Sequence, residues 1–162
     1  MKKFKATVIM WVVGMCLAKA QQMNAGIPVF LHIELESGAI TVPSFASSSD
    51  LQNGLETSEV RFQLKTNVDW KVVTEIGTIV STPVPAGPAT ILHPLTYSNF
   101  KYAVANGNDP YGTMTPFTST TAIVNSGEQQ EKKFRIKFRI TPGFSVDPAA
   151  YTIPITYTIS PL

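Results

Sequence analysis

Lys133-Phe-Arg-Ile-Lys-Phe-Arg-Ile140 is the stretch that decides the fold class. Phe134, Ile136, Phe138 and Ile140 alternate with Lys133, Arg135, Lys137 and Arg139. Successive side chains of a strand point to opposite faces, so a period of two buries one face and wets the other. The same reading applies at Val60, Phe62 and Leu64, which alternate with Glu59, Arg61, Gln63 and Lys65. It applies again from Tyr151 through Ile153, Ile155 and Tyr157 to Ile159, with Thr152, Pro154, Thr156 and Thr158 between them. Upstream, Ile27, Val29, Leu31, Ile33 and Leu35 alternate with Pro28, Phe30, His32 and Glu34. No convincing 3.6-residue apolar repeat of ten or more residues competes with these patterns.

Shorter strand candidates are Ala39–Val42, Trp70–Ile76, Thr90–Tyr97 and Ser119–Val124. Turn chemistry separates them: Asn53-Gly54, Pro85 to Pro88, Asn106-Gly107, Ser126-Gly127 and Pro142-Gly143. About seven to nine strands at this spacing predict one all-β domain, an immunoglobulin-like antiparallel sandwich. Pro154 lies inside the last pattern and cannot donate a ladder hydrogen bond, so that strand is expected at an edge or bulged. Pro28 says the same of the first strand.

The N-terminus reads differently. Lys2, Lys3 and Lys5 precede an apolar run from Ala6 to Leu17, and Ala18-Lys19-Ala20 offers small residues at a cleavage site. This is the pattern of a secretory signal peptide over residues 1–20, leaving residues 21–162 as a single domain. The run is too short for a spanning helix. Cys16, the one cysteine, falls in this segment, and Met15 precedes it where lipoprotein signals usually carry Gly, Ala or Ser. The mature chain is therefore expected in the periplasm or outside the cell, without disulfides and held by its core. Cleavage also changes the charge. The whole chain carries 13 basic and 11 acidic residues, and loss of Lys2, Lys3, Lys5 and Lys19 leaves nine against 11, a net of −2. That balance removes the main support for a nucleic-acid partner.

Catalysis has little foothold. His32 and His93 are the two histidines, the mature chain has no thiol, and there is no Gly-x-Ser-x-Gly. Both histidines read as strand residues. Two isolated histidines cannot build a four-ligand zinc site. The expectation is no enzyme, no metal and no cofactor. Asn106-Gly-Asn-Asp-Pro-Tyr-Gly112 is rich in oxygen donors, which calcium favours, but has one carboxylate and reads as an Asx-turn loop.

Two features point outward. Lys133, Arg135, Lys137 and Arg139 form a cationic stripe on one strand face, spaced about 7 Å apart, which Arg61 and Lys65 would widen. It suits an anionic envelope polymer, or reads as a solvated face balanced by Glu34 and Glu36. The first strand, with anchors Ile27, Val29, Leu31, Ile33 and Leu35, either closes its own sandwich or adds to another copy's sheet.

Asn67-Val-Asp-Trp70-Lys-Val72 resembles the WxL-type segment of secreted β-sandwich surface proteins. Tyr151-Thr-Ile-Pro-Ile-Thr-Tyr-Thr-Ile159 resembles their closing strand, and that of spore-coat-U and fimbrial-subunit-like sandwiches, with Ala149-Ala150-Tyr151 as its lead. Asp50-Leu-Gln-Asn-Gly54 looks like a turn found in such chains. Tyr157 stands where wall-binding WxL domains usually carry a second Trp, so peptidoglycan binding is not carried over. The resemblance implies an exported structural or adhesive surface protein, a fibre-like subunit whose partners are other copies or a related envelope subunit. The alternative is a monomeric envelope- or glycan-binding module using the cationic face, with Tyr97, Tyr102 and Tyr111 as aromatic contacts. Trp70 is expected to be a core anchor.

Overall fold

The computed structural model describes residues 28–36, 40–42, 44–85 and 87–162. The signal peptide expected over 1–20 and the first anchor, Ile27, lie outside the described residues.

Among the described residues the chain is all-β apart from one short helix and a 3-10 turn at Tyr97–Asn99. One sheet runs β1 (Leu31–Leu35), β3 (Val60–Thr66), β9 (Glu131–Ile140), β6 (Phe100–Asn106) and β7 (Thr115–Pro116), with β2 (Leu55–Glu56) also on β9. The facing sheet runs β11 (Ile155–Pro161), β4 (Trp70–Ile76) and β8 (Thr121–Gly127). A two-stranded ribbon of β5 (Val80–Pro83) and β10 (Ala149–Thr152) completes the architecture. Every pairing is antiparallel. The result is the antiparallel sandwich the alternation predicts, with the two layers packed through their apolar faces.

The core follows from the parity of the strands. Phe134, Ile136, Phe138 and Ile140 are buried, as are Val60, Phe62 and Leu64 opposite them. Trp70, Val72 and Ile76 supply the other layer. Trp70 is fully buried, stacks on Phe134 at 6.1 Å across the sandwich, and donates its indole N–H to the Glu128 carbonyl at 2.9 Å. Phe62 stacks on Phe134 at 4.9 Å and receives Tyr157 edge-on at 4.8 Å. Aromatic pairs of this geometry contribute about 0.5–1.5 kcal/mol beyond their buried area. Trp70 is the core anchor its strand position predicts.

Both terminal strands are edges as expected, β1 ending one sheet and β11 the other, although Pro28 and Pro154 lie just outside them rather than within. Pro154 breaks the expected last strand. Thr152 pairs Val80 and Ile155 pairs Ile76, so Gly77-Thr78-Ile79 bulges opposite Ile153-Pro154. The Pro154 carbonyl still accepts from Gly77 N–H at 2.9 Å. This split, with the two-residue strands β2 and β7, raises the strand number to eleven among the described residues.

Three sequence expectations are corrected. Thr90–Tyr97 is not a strand. Its N–H groups at Leu92 and His93 donate to the Asp147 carboxylate at 2.7 and 2.8 Å, which takes them out of any ladder. His93 is accordingly an exposed loop residue rather than a strand residue. Ile40–Val42 is irregular: Thr41 N–H donates to Ser58 Oγ rather than to a strand. Asp50–Gly54 is not a bare turn but the body and C-cap of α1 (Ser48–Asn53). Ser47 and Asp50 form a capping box at its start, a signal present in the sequence but too short to show a helical period. β6 was missed altogether, because Ala103 and Ala105 on its outer face blur the alternation of Phe100, Tyr102 and Val104.

Candidate functional site

β9 carries the four predicted cations to the outer face of its sheet, and there they meet carboxylates. Lys133 Nζ lies 2.7 Å from Glu36, Arg135 Nη1 3.1 Å from Glu59, and Lys137 Nζ 2.5 Å from Glu56. Arg139 shares Glu56 with Lys137, and Arg61 shares Glu59 with Arg135. Lys65 pairs with Glu131 at 3.5 Å. Glu36 was anticipated as a counter-charge. Glu56 and Glu59 were not, because they lie about 80 residues away in sequence and arrive only through the β2–β9 and β3–β9 ladders.

The Asn106–Gly112 loop joins this face. Gly107, at φ +52, turns the chain, and Gly112 N–H returns to the Val104 carbonyl at 3.0 Å. Tyr111 is thereby laid over the stripe, its ring 5.1 Å from the Arg135 guanidinium carbon and 4.4 Å from Lys137 Nζ. Its hydroxyl donates to Glu59 at 2.8 Å. Burial, followed by the Glu59 contact, pushes the phenol up to about 12. The Asp109 carbonyl accepts from Arg135 Nη2 at 2.7 Å. Among the described residues no group of three or more His, Cys, Asp or Glu comes together to hold a metal ion.

The aromatic contacts envisaged for a glycan do not form one platform. Tyr111 is committed to the stripe, and Tyr102 packs edge-on against Phe117 at 5.2 Å. Tyr97 lies at the start of the 3-10 turn and is 37% exposed.

Hydrogen bonds to Lys137 and then Arg139 hold the Glu56 carboxyl below its usual range, and bonds to Tyr111 and Arg61 do the same for Glu59. A depressed folded-state value means that the unfolded chain binds more protons, so stability rises with pH across that window. The stabilisation is complete above the ordinary carboxylate value of about 4.3 and is lost as pH falls through the depressed one. Urea midpoints are therefore expected to be flat from neutral pH to about pH 5 and to drop below it. Glu56→Gln should lower the neutral-pH midpoint and flatten the acid limb; an unchanged acid limb would show that these pairs are not linked to folding.

The second candidate is the first strand. The structure seats β1 on β3 of its own chain, with Leu31 opposite Thr66 and Leu35 opposite Phe62. Of the predicted anchors, Leu31 and Ile33 pack half-buried against the core, while Val29 and Leu35 are 67% and 55% exposed. Phe30 is also exposed. Beyond Leu35 a recess of about 490 Å³ opens between the layers, lined by Val60, Phe100, Phe138, Ile140, Ile153 and Tyr157 among others. Burial pushes the Tyr157 phenol upward, so it stays neutral in this wall.

The fold and these two surfaces define an all-β sandwich with a charge-paired outer face and exposed terminal edges. Against known protein families no model matches the chain, and no curated protein matches it in sequence. Among the described residues no helix is long and apolar enough to cross a membrane.

Proposed function

We propose that the protein is an exported structural or adhesive component of a cell surface, whose copies join by exchanging their first strand. The observation that carries this reading is how little apolar surface β1 buries in its own domain, although its ladder to β3 is complete and Asn67 and Arg61 bond its flanks. It is a five-residue edge strand with two half-buried anchors, and Val29, Phe30 and Leu35 around it are exposed. The corresponding strand of a neighbouring copy would find the same ladder on β3 and the same seats for Leu31 and Ile33. The N-terminal signal pattern supports export. The likeness of the Trp70 segment and of the closing strand to secreted surface sandwiches supports the same class.

The alternative, an envelope-binding module using the whole cationic stripe, has less support, since every one of its four cations is engaged by a carboxylate.

The test exploits the cysteine-free domain. Glu34 and Gln63 are opposed across β1 and β3, at a separation of about 4.5–5.5 Å between Cα atoms that suits a disulfide. A Glu34→Cys, Gln63→Cys protein is expected to remain monomeric over a wide concentration range when oxidised within one chain. When reduced it should form concentration-dependent oligomers by sedimentation. A protein that is strictly monomeric in both states, or that assembles equally in both, would overturn strand exchange.

A further inference from the structure

The β3–β9 ladder sets two arginines directly opposite each other: Arg61 and Arg135 are Cα partners. Like charges in that relation weaken a sheet. Lys133 lies two positions before Arg135 along β9 on the same face, opposite Gln63 rather than an acid. With Glu36 and the Gly107-Asn108 turn, these side chains line a polar cleft of about 260 Å³. Three cations face one lining carboxylate there. Glu59 bonds both arginines, and Glu34 and Glu131 act on Lys133 from beyond the lining, so the excess of cations is confined to the cleft wall itself.

The bonding of Arg135 is incomplete. Its Nη1 reaches Glu59 and its Nη2 the Asp109 carbonyl, but its buried Nε has no hydrogen-bond partner. At the mouth of the cleft, a Cβ on Gly107 would meet nothing within 4 Å, so this side is open. Farther along β9 the situation differs: Lys137 and Arg139 converge on Glu56, and Tyr111 covers the Lys137 ammonium.

We propose that this cleft binds a small oxyanion (a carboxylate, sulfate or phosphate group), which displaces the Glu36 carboxylate from Lys133. In the unliganded protein Glu36 supplies from within the negative oxygens that the ligand brings. The Lys133 ammonium, released from Glu36, and the amide of Asn108 then face the anion, while the Arg135 guanidinium, held by Glu59 and the Asp109 carbonyl, contributes its charge from the cleft wall. The anionic group can be a free ion or a substituent of an acidic glycan. The cleft lies on the outer face, but Glu36 directly follows β1 and its N–H donates to the Arg61 carbonyl, so the two proposals are separated by their readouts, anion titration here and oligomeric state for strand exchange.

The test titrates the purified protein with sodium phosphate, sodium sulfate and sodium glucuronate at constant ionic strength, following backbone amide resonances. Saturable shifts confined to Gly107, Asn108, Lys133 and Arg135 are expected for at least one of them. Preference for phosphate or sulfate points to a tetrahedral ester group, and preference for glucuronate to a uronate carboxylate. Lys133 is 58% exposed, so Lys133→Gln keeps the fold and should weaken binding about tenfold or more. Lys137→Gln should change it less than about twofold, and Glu36→Gln should tighten it several-fold by removing the internal competitor. Shifts that never saturate and spread over all surface lysines would overturn the proposal. So would a Glu36→Gln protein that binds no more tightly than the parent.

Discussion

Replacing Trp70 by alanine is expected to destabilise the fold by about 3–5 kcal/mol, the range for emptying a buried large aromatic site. The size of the effect follows from position. Trp70 is fully buried on β4, its ring stacked on Phe134 from the opposite layer. The site has little freedom to collapse, because Gly127 is already backed against the indole: a Cβ there would lie 3.1 Å from Trp70 Cζ2. The variant also strands the Glu128 carbonyl that accepts the indole N–H. Urea unfolding followed by circular dichroism measures the loss. A cost below about 1 kcal/mol would mean that the two layers are not joined through this ring, and the core would have to be reassigned.

Gly54→Ala is the other large effect. Gly54 has φ 77 and ψ 164, a region essentially reserved for glycine and costing other residues about 1–3 kcal/mol. In addition, a Cβ would lie 2.6 Å from the Ile140 carbonyl oxygen, which is backbone and cannot step aside. The consequence reaches the charged face. Gly54 leads directly into β2, whose Glu56 pairs with Arg139 in the ladder and anchors both Lys137 and Arg139. A loss of more than about 2 kcal/mol is therefore expected, together with a shallower dependence of stability on pH below 5. Gly107→Ala is the control: its φ is also positive, at +52, but its surroundings are open. It should cost about 1–2 kcal/mol, from the left-handed backbone alone. Equal losses at the two positions would show that the clash with Ile140 is relieved.

Strand identity was most legible where apolar and charged residues alternate without interruption. At β9 and β3 the parity of Phe134 and Phe62 named the buried face correctly for every residue that followed. Legibility failed at β6, where alanine serves on a face crowded by a returning loop. It failed also at Thr90–Tyr97, where the carboxylate of Asp147, over fifty residues downstream, captures the backbone donors. β1 and β11 are edges as expected, but Pro28 and Pro154 lie just outside them: Pro154 interrupts the ladder between β10 and β11, and Pro28 precedes β1.

By itself, the sequence determined the all-β class, the buried face of each long strand, Trp70 in the core and the row of cations along β9. These depend on side-chain parity, which is set within a few residues. Only the tertiary structure decided that Glu56 and Glu59 answer those cations, that Tyr111 lies across them and that Arg61 stands opposite Arg135. Those relations depend on ladder register and loop return between segments tens of residues apart, and no local pattern encodes which distant strand will lie alongside.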